Sequence, residues 1–241
     1  MDSRLISVAG LLLFQACGRD PEITPYTPTP IDDVDPTLSD NLALPGDELA
    51  ATIVMPNGAT LPEVLAAKEV RRYIYLRTGE LLSLTTGDAL PEGDVVLVAE
   101  QAHSLVADLQ SWIDYTNPPS GFLIKSVEQE GRTLLVISGA DPDATLYGAY
   151  RFAEHLGVGF GLEGDIIPDA PIELDLGGHD EVAVPLLETR GLLPFHDFPE
   201  GPDFWNTDDY LMVVSQMPKL GLNFIGLHNY PRWSSTEEAG L

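Results

Sequence analysis

Basic residues are scarce in this chain. Twelve lysines and arginines stand against 38 aspartates and glutamates, for a formal net charge of −26. Binding nucleic acid requires Lys and Arg to neutralise phosphates, so the deficit argues against a polyanionic partner. Only Lys68, Arg71, Arg72 and Arg77 lie close together, and on a helix those four read as a solvated face. Cysteine is scarcer still: Cys17 is the only one, so no internal disulfide can form. Long apolar runs are missing too. LISVAGLLLF, residues 5–14, is too short for a stable bilayer-spanning helix, which needs about 20 residues. What is plentiful is ordinary core material, 44% apolar over 241 residues, enough for one large domain or two small ones.

The amino terminus has an order of its own. Arg4 precedes the apolar stretch, and Gln15-Ala16-Cys17 follows it, so a charged start and apolar middle lead to a small residue before a cysteine. This arrangement resembles a bacterial lipoprotein signal, with Phe14 where leucine is usual and Asp2 diluting the positive start. The resemblance implies that residues 1–17 are a signal peptide and that Cys17 is a lipid attachment point. It also implies export, with the membrane met through a lipid anchor only. Plain secretion and a buried structural start are the other readings. Residues 18–48, rich in Pro, Thr and Asp, lack apolar periodicity and cannot bury enough to offset their ordering entropy. They read as a disordered, acidic, self-repelling tether.

From Leu49 the pattern changes. ATIVMP (51–56), LLSLTT (81–86) and DVVLVAE (94–100) have strand character, and 121–140 reads as two strands turned at Glu130-Gly131. The spacing predicts an amphipathic helix over 61–79, closed by Gly79, and a shorter one over 103–113. A third, over 141–157, has Asp141 as cap, Pro142 at its first position and Gly157 as its stop. Strands alternating with helices predict a small α/β layered domain over about 49–180. GVGFGLEG (157–164) follows a helix, whereas a phosphate loop must follow a strand and open a helix, so it reads as a helix stop and turn. His103 and His155 read as lone surface or core histidines. No cofactor is expected.

After an acidic turn at 177–185, LLETRGLLPF reads as a strand, 207–223 as a helix and FIGLHNYPRW (224–233) as a second strand. The helix would be capped by Thr207 or Asn206, would turn Tyr210, Val213, Val214, Met217 and Leu220 inward, and should kink or end early at Pro218. Parallel strands are buried on both faces and demand a larger sheet. The unit therefore predicts the start of an eight-strand α/β barrel over 181–241, with the site at the carboxyl ends of the strands. His196 with Asp197, and His228 with Asn229, fall there, and Phe204, Trp205, Tyr230 and Trp233 fall in the loops. Aromatic faces among hydrogen-bonding groups suit a sugar. Metal ligation by His196, Asp197 and His228 lacks any fixed-spacing motif. The plainest alternative is that these residues cap strand ends and anchor the loop.

Three stretches carry a resemblance: AAKEVRRYIYLRTGELL; GFLIKSVEQEGRTLLVISGADPDATLYGAYRFAEHLGVGF; and RG followed later by QMPKLGLNFIGLH. In order and spacing, over about 50–233, they resemble the amino-terminal region of bacterial glycoside hydrolases of the α-glucuronidase and β-hexosaminidase type. There a small α/β domain precedes a catalytic (β/α)8 barrel. The resemblance implies that Arg190, matching the Arg-Gly that opens the barrel, contacts sugar hydroxyls, and that Asn223 and His228 match second-strand residues. Gly226 replaces a family histidine, Phe195 stands where an Asp is usual, and HDFPEGPDFW is not the hexosaminidase loop.

The expected substrate contacts are thus Arg190, His196, Asp197, Trp205, His228 and Asn229, with carbohydrate as partner and no metal. Glycoside hydrolysis usually needs two carboxylates, and Asp197 is the only one on a strand at the barrel end. The expectation is a truncated chain without catalytic residues, inactive alone, whose segment 185–241 orders poorly while 49–180 folds. The competing expectation is a surface-anchored, non-catalytic carbohydrate-binding or accessory lipoprotein.

Overall fold

The computed structural model describes residues 51–113, 116–194, 202 and 205–227. The segments expected to be a signal and a tether, and the positions of His196, Asp197, His228 and Asn229, lie outside them. Strand β1 (Thr52–Met55) leads into helix α1 (Leu61–Thr78), and β2 (Ser83–Thr86) and β3 (Val95–Val98) follow. Two single-turn helices come next, α2 (Ser104–Ala107) and α3 (Gln110–Ile113). After them run the hairpin β4 (Phe122–Gln129) and β5 (Arg132–Gly139) and helix α4 (Pro142–His155). The ribbon β6 (Gly159–Gly161) and β7 (Gly164–Ile166) precedes strand β8 (Asp180–Ala183). A last unit holds β9 (Gly191–Leu192), helix α5 (Thr207–Gln216), a 3-10 turn (Pro218–Leu220) and β10 (Phe224–Ile225).

The class is α/β, as expected. A six-stranded mixed sheet has the order β2-β1-β3-β5-β4-β8. β1, β2, β3 and β5 run parallel, and β4 pairs antiparallel with both β5 and β8. The fully buried run Val95–Val98 occupies the interior of the sheet, where both faces are covered. On one face Ile53, Val96, Leu135 and Ile137 pack with Ala66, Val70, Ile74, Ala149 and Phe152 of α1 and α4. On the other, Val95, Leu97, Leu134 and Val136 meet Leu105 and Ile113 of the short helices and Leu109 between them. Helix, sheet and helix make three layers.

Local signals explain the boundaries. The Glu63 carboxylate accepts from the Thr60 amide and hydroxyl at 2.8 Å and from the Glu100 amide at 3.0 Å, tying the start of α1 to the end of β3. Asp141 accepts from the Ala144 amide at 2.8 Å and caps α4. Glu130 and Gly131 both adopt positive φ, 54° and 82°, the two-residue turn that matches strand twist. Gly139 is needed for contact: a Cβ there would lie 2.2 Å from the Thr145 nitrogen, where α4 crosses the end of β5.

Several expectations are corrected. The helix expected over 103–113 is two short turns, with the His103 ring capping the first by accepting from Leu105 at 3.2 Å. Arg77 does not point to solvent. It is buried, with Nε donating to the Leu156 carbonyl at 2.8 Å and Nη1 to the Pro168 carbonyl, so its charge serves the α4 terminus and the loop beyond it. Part of the expected acidic turn at 177–185 is strand β8, which borders β4. Among the described residues, the expected strand LLETRGLLPF pairs only at Gly191–Leu192. The described residues after 185 contact the layered domain, Lys219 at Asp165 and Arg190 at Tyr147.

Candidate functional site

β9 and β10 are parallel, with Gly191 opposite Phe224 and Leu192 opposite Ile225. The chain leaves both strands on the same side, and in sequence His196 and Asp197 follow one strand and His228 and Asn229 the other. Those four residues lie outside the described positions. α5 joins the pair. Its cap is Asn206, which accepts from the amides of Asp208 and Asp209 at 2.7 and 3.2 Å, while the Asp209 carboxylate accepts from the Asn206 amide at 2.8 Å. The helix ends at Gln216 and turns 3-10 at Pro218, as a missing amide hydrogen requires. Its buried residues are Val213 and Gln216, and Met217 just beyond it is buried too; Leu220, expected inward, is exposed.

Trp205 stands at the start of this helix, half-buried. Its ring meets Tyr210 edge to face with centroids 5.2 Å apart, and its amide donates to the Pro202 carbonyl at 3.3 Å. The Tyr210 hydroxyl donates to the same carbonyl at 2.8 Å. The loop before α5 is thus fastened at Pro202, and Trp205 is set by its neighbours.

Arg190 lies at the opposite, amino end of β9. Its Nε donates to the Gly221 carbonyl at 2.7 Å and its Nη1 to the Leu187 carbonyl at 2.7 Å. The guanidinium also sits 5.5 Å from the centroid of the Tyr147 ring on α4. Burial pushes the Tyr147 phenol up, with Asp143 adding to the rise and Arg190 opposing it. Asn223 completes the end: its Oδ1 accepts from the Arg190 amide and its Nδ2 donates to the Glu188 carbonyl, both at 2.8 Å. Arg190 therefore binds β9, the β10 approach and α4 together, and every partner named here is on the protein.

A cluster that the sequence did not signal joins the unit to the layered domain. Lys219 Nζ lies 2.6 Å from Asp165 Oδ1, and both side chains are about nine-tenths buried, at 9% and 10% exposure. The Tyr73 hydroxyl donates to the other carboxylate oxygen at 2.8 Å, and Arg72 Nη2 lies 3.3 Å from it. Lys219 also stands 6.0 Å from the Tyr150 ring centroid and 5.8 Å from that of Phe160. Burial alone would raise the Asp165 carboxyl. Hydrogen bonds from Lys219 and Tyr73, the Lys219 charge and a bond from Gln216 outweigh burial and hold the carboxyl below its ordinary value. Burial, then the bond to Asp165, pushes the Tyr73 phenol far up, so it stays a donor. The sequence signal was faint, since Asp165 sits on the three-residue strand β7 and Lys219 beside a helix-ending proline.

Among the described residues, no group of three or more His, Cys, Asp or Glu is placed to hold a metal ion, and no helix is long and apolar enough to cross a membrane.

No protein-family model matches the chain, and neither does any curated protein. Among solved structures, it is similar to one titled "Structure of CpGH84D", with 10% identity and a TM-score of 0.40 over 60% of this chain and 22% of that one. The chain thus spans about a fifth of the length of that structure.

Proposed function

We propose that the chain is the amino-terminal part of an exported glycoside hydrolase acting on polysaccharide-derived sugars, α-glucuronidase-like or hexosaminidase-like. The observation that carries this reading is the parallel pairing of β9 and β10 about α5. Parallel strands belong to sheets covered on both faces, yet Leu186, Leu193, Leu211 and Phe224 around this pair are exposed. Further β-α units of a barrel would cover such a surface. In that fold the strand carboxyl ends carry the site. His196, Asp197, His228 and Asn229 would hydrogen-bond sugar hydroxyls there, with Trp205 offering a ring face to sugar C–H groups. Arg190 is assigned to the sugar by the sequence resemblance alone. Cleavage needs a carboxylate beyond Asp197, so these residues would hold substrate while others cut it.

Asp197, as the single carboxylate expected at a barrel strand end, equally favours a second reading, a surface-anchored carbohydrate-binding lipoprotein without catalysis. One experiment separates them. The complete gene product is assayed on chromogenic aryl glycosides of N-acetylhexosamine and glucuronic acid, with calorimetric binding of the matching oligosaccharides. The enzyme reading expects release of the chromophore and saturable binding that His196→Ala and Trp205→Ala weaken. Binding without release supports the accessory reading, and neither result sinks both. The lipid anchor is tested by fatty-acid labelling, which Cys17→Ser should abolish.

A further inference from the structure

The last turn of α4 and the approach to β8 bring together two histidines that the proposed function does not use. His155 Nε2 lies 2.6 Å from Glu181 Oε2, and His179 Nε2 lies 3.3 Å from the Asp175 carbonyl oxygen. A carboxylate and a carbonyl only accept, so each Nε2 carries the hydrogen. In a neutral imidazole the other nitrogen is then a bare acceptor. Those two acceptors, the Nδ1 atoms, stand 3.2 Å apart, with ring planes parallel to within 4°. Two lone pairs at that distance repel unless a cation joins them. Both rings are held: Phe152 packs edge-on against His179 at 5.6 Å, and Arg151 Nε donates to both oxygens of Glu181 at 2.9 and 3.2 Å.

We propose that His155 and His179 form a site for one divalent transition-metal ion of borderline softness, such as zinc, nickel or copper, ligated through the two Nδ1 atoms. With metal–nitrogen bonds of about 2.0–2.1 Å, a 3.2 Å separation of the nitrogens corresponds to an angle of about 100° at the metal, close to tetrahedral. The outer nitrogens are bonded as metal-binding histidines require, one to a carboxylate and one to a backbone carbonyl, which fixes tautomer and ring orientation. The surrounding charges suit a cation. Glu154, Glu181 and Asp180 face Arg151 and Lys125, an excess of one negative charge before the ion arrives. The protein supplies two ligands, and a quarter of the His155 side chain is exposed, at 24%, so water can fill the other positions. A bound ion would staple the end of α4 to the sheet-edge strand β8.

The test uses the 241-residue chain carrying Cys17→Ser, so that no thiol competes, stripped with chelator and titrated with zinc. Long-range proton–nitrogen spectra of the imidazoles identify the ligating atoms. The expected result is saturation at one equivalent, with the Nδ1 signals of His155 and His179 moving together and thermal stability rising with zinc. His155→Gln and His179→Gln should each abolish saturable binding at micromolar zinc. Glu181→Gln should weaken it about 10-fold while keeping the stoichiometry, as expected for an outer partner. Absence of saturation at millimolar zinc overturns the site. So do shifts at His103, His196 or His228 in place of the pair, or a pair that responds to pH and not to metal. The spectra of the unsubstituted histidines decide the matter even if a glutamine variant fails to fold.

Discussion

Helices α4 and α5 begin alike and end up in different company. Each has a side-chain cap, Asp141 or Asn206, and acidic residues in its first turn. α4 lies on a six-stranded sheet and buries Ala144, Leu146, Ala149, Tyr150, Phe152 and Ala153. α5 lies beside strands two residues long and buries Val213 and Gln216. Leu211, on the same helix, is 63% exposed. Capping and period therefore make a helix, but the area of sheet beneath it decides how much hydrophobic stabilisation it draws. The layered domain supplies its own sheet. The β-α-β unit borrows support through Lys219 and Arg190.

That contrast can be broken most severely from the layered side. Leu135→Ala, at a fully buried position of the sheet centre, should cost about 2–5 kcal/mol, or about 5–15 °C in Tm, and calorimetry should show both regions melting together. Gly191→Ala should act on the other region alone. A Cβ there would lie 1.9 Å from the Phe224 carbonyl oxygen, so the β9–β10 pair must part, at about 1–3 kcal/mol. Hydrogen exchange should then rise over 190–227 while β3 and β5 stay protected.

Lys219→Met leaves the Asp165 carboxylate short of its closest cation and should cost about 1–3 kcal/mol, read as limited proteolysis within 205–227. Acid should do the same to the unaltered chain. Asp165 is held below its ordinary value of 3.8, so the stability it lends is present above that pH and lost as pH falls through the depressed value. Cleavage in 205–227 should therefore appear below about pH 4 before the layered domain opens; simultaneous opening would remove Asp165 as the link. The smallest effect belongs to Asn206→Ala, about 1 kcal/mol, confined to fraying at the start of α5.

Legibility followed the range of the forces involved. The stop of α1 at Gly79, the capping of α4, the hairpin turn at Glu130-Gly131, the buried run Val95–Val98 and the early end at Pro218 depend on neighbours a few residues away, so periodicity and turn chemistry revealed them. β8 was hidden because its residues alternate on a sheet edge without a strong apolar face, and only the register against β4 shows it to be a strand. Arg77 was misread for a related reason: a basic residue in the last turn of a helix looks solvated until the carbonyls of Leu156 and Pro168 close over it. Of the candidate site, Trp205 and Arg190 are placed by the structure. His196, Asp197, His228 and Asn229, expected at strand ends, rest on the sequence.

The sequence by itself determined the α/β class, the order of the main helices and strands, and the parallel β-α-β unit, because period, caps and breakers act along the chain. Only the tertiary structure decided which charges are buried and paired. Asp165 comes from the ribbon strand β7, Tyr73 from α1 and Lys219 from beyond α5. His155 and His179 meet across the gap between a helix end and a sheet edge. Nothing in local spacing encodes such meetings, since they arise when packed layers bring distant polar groups out of water and leave them only one another to satisfy.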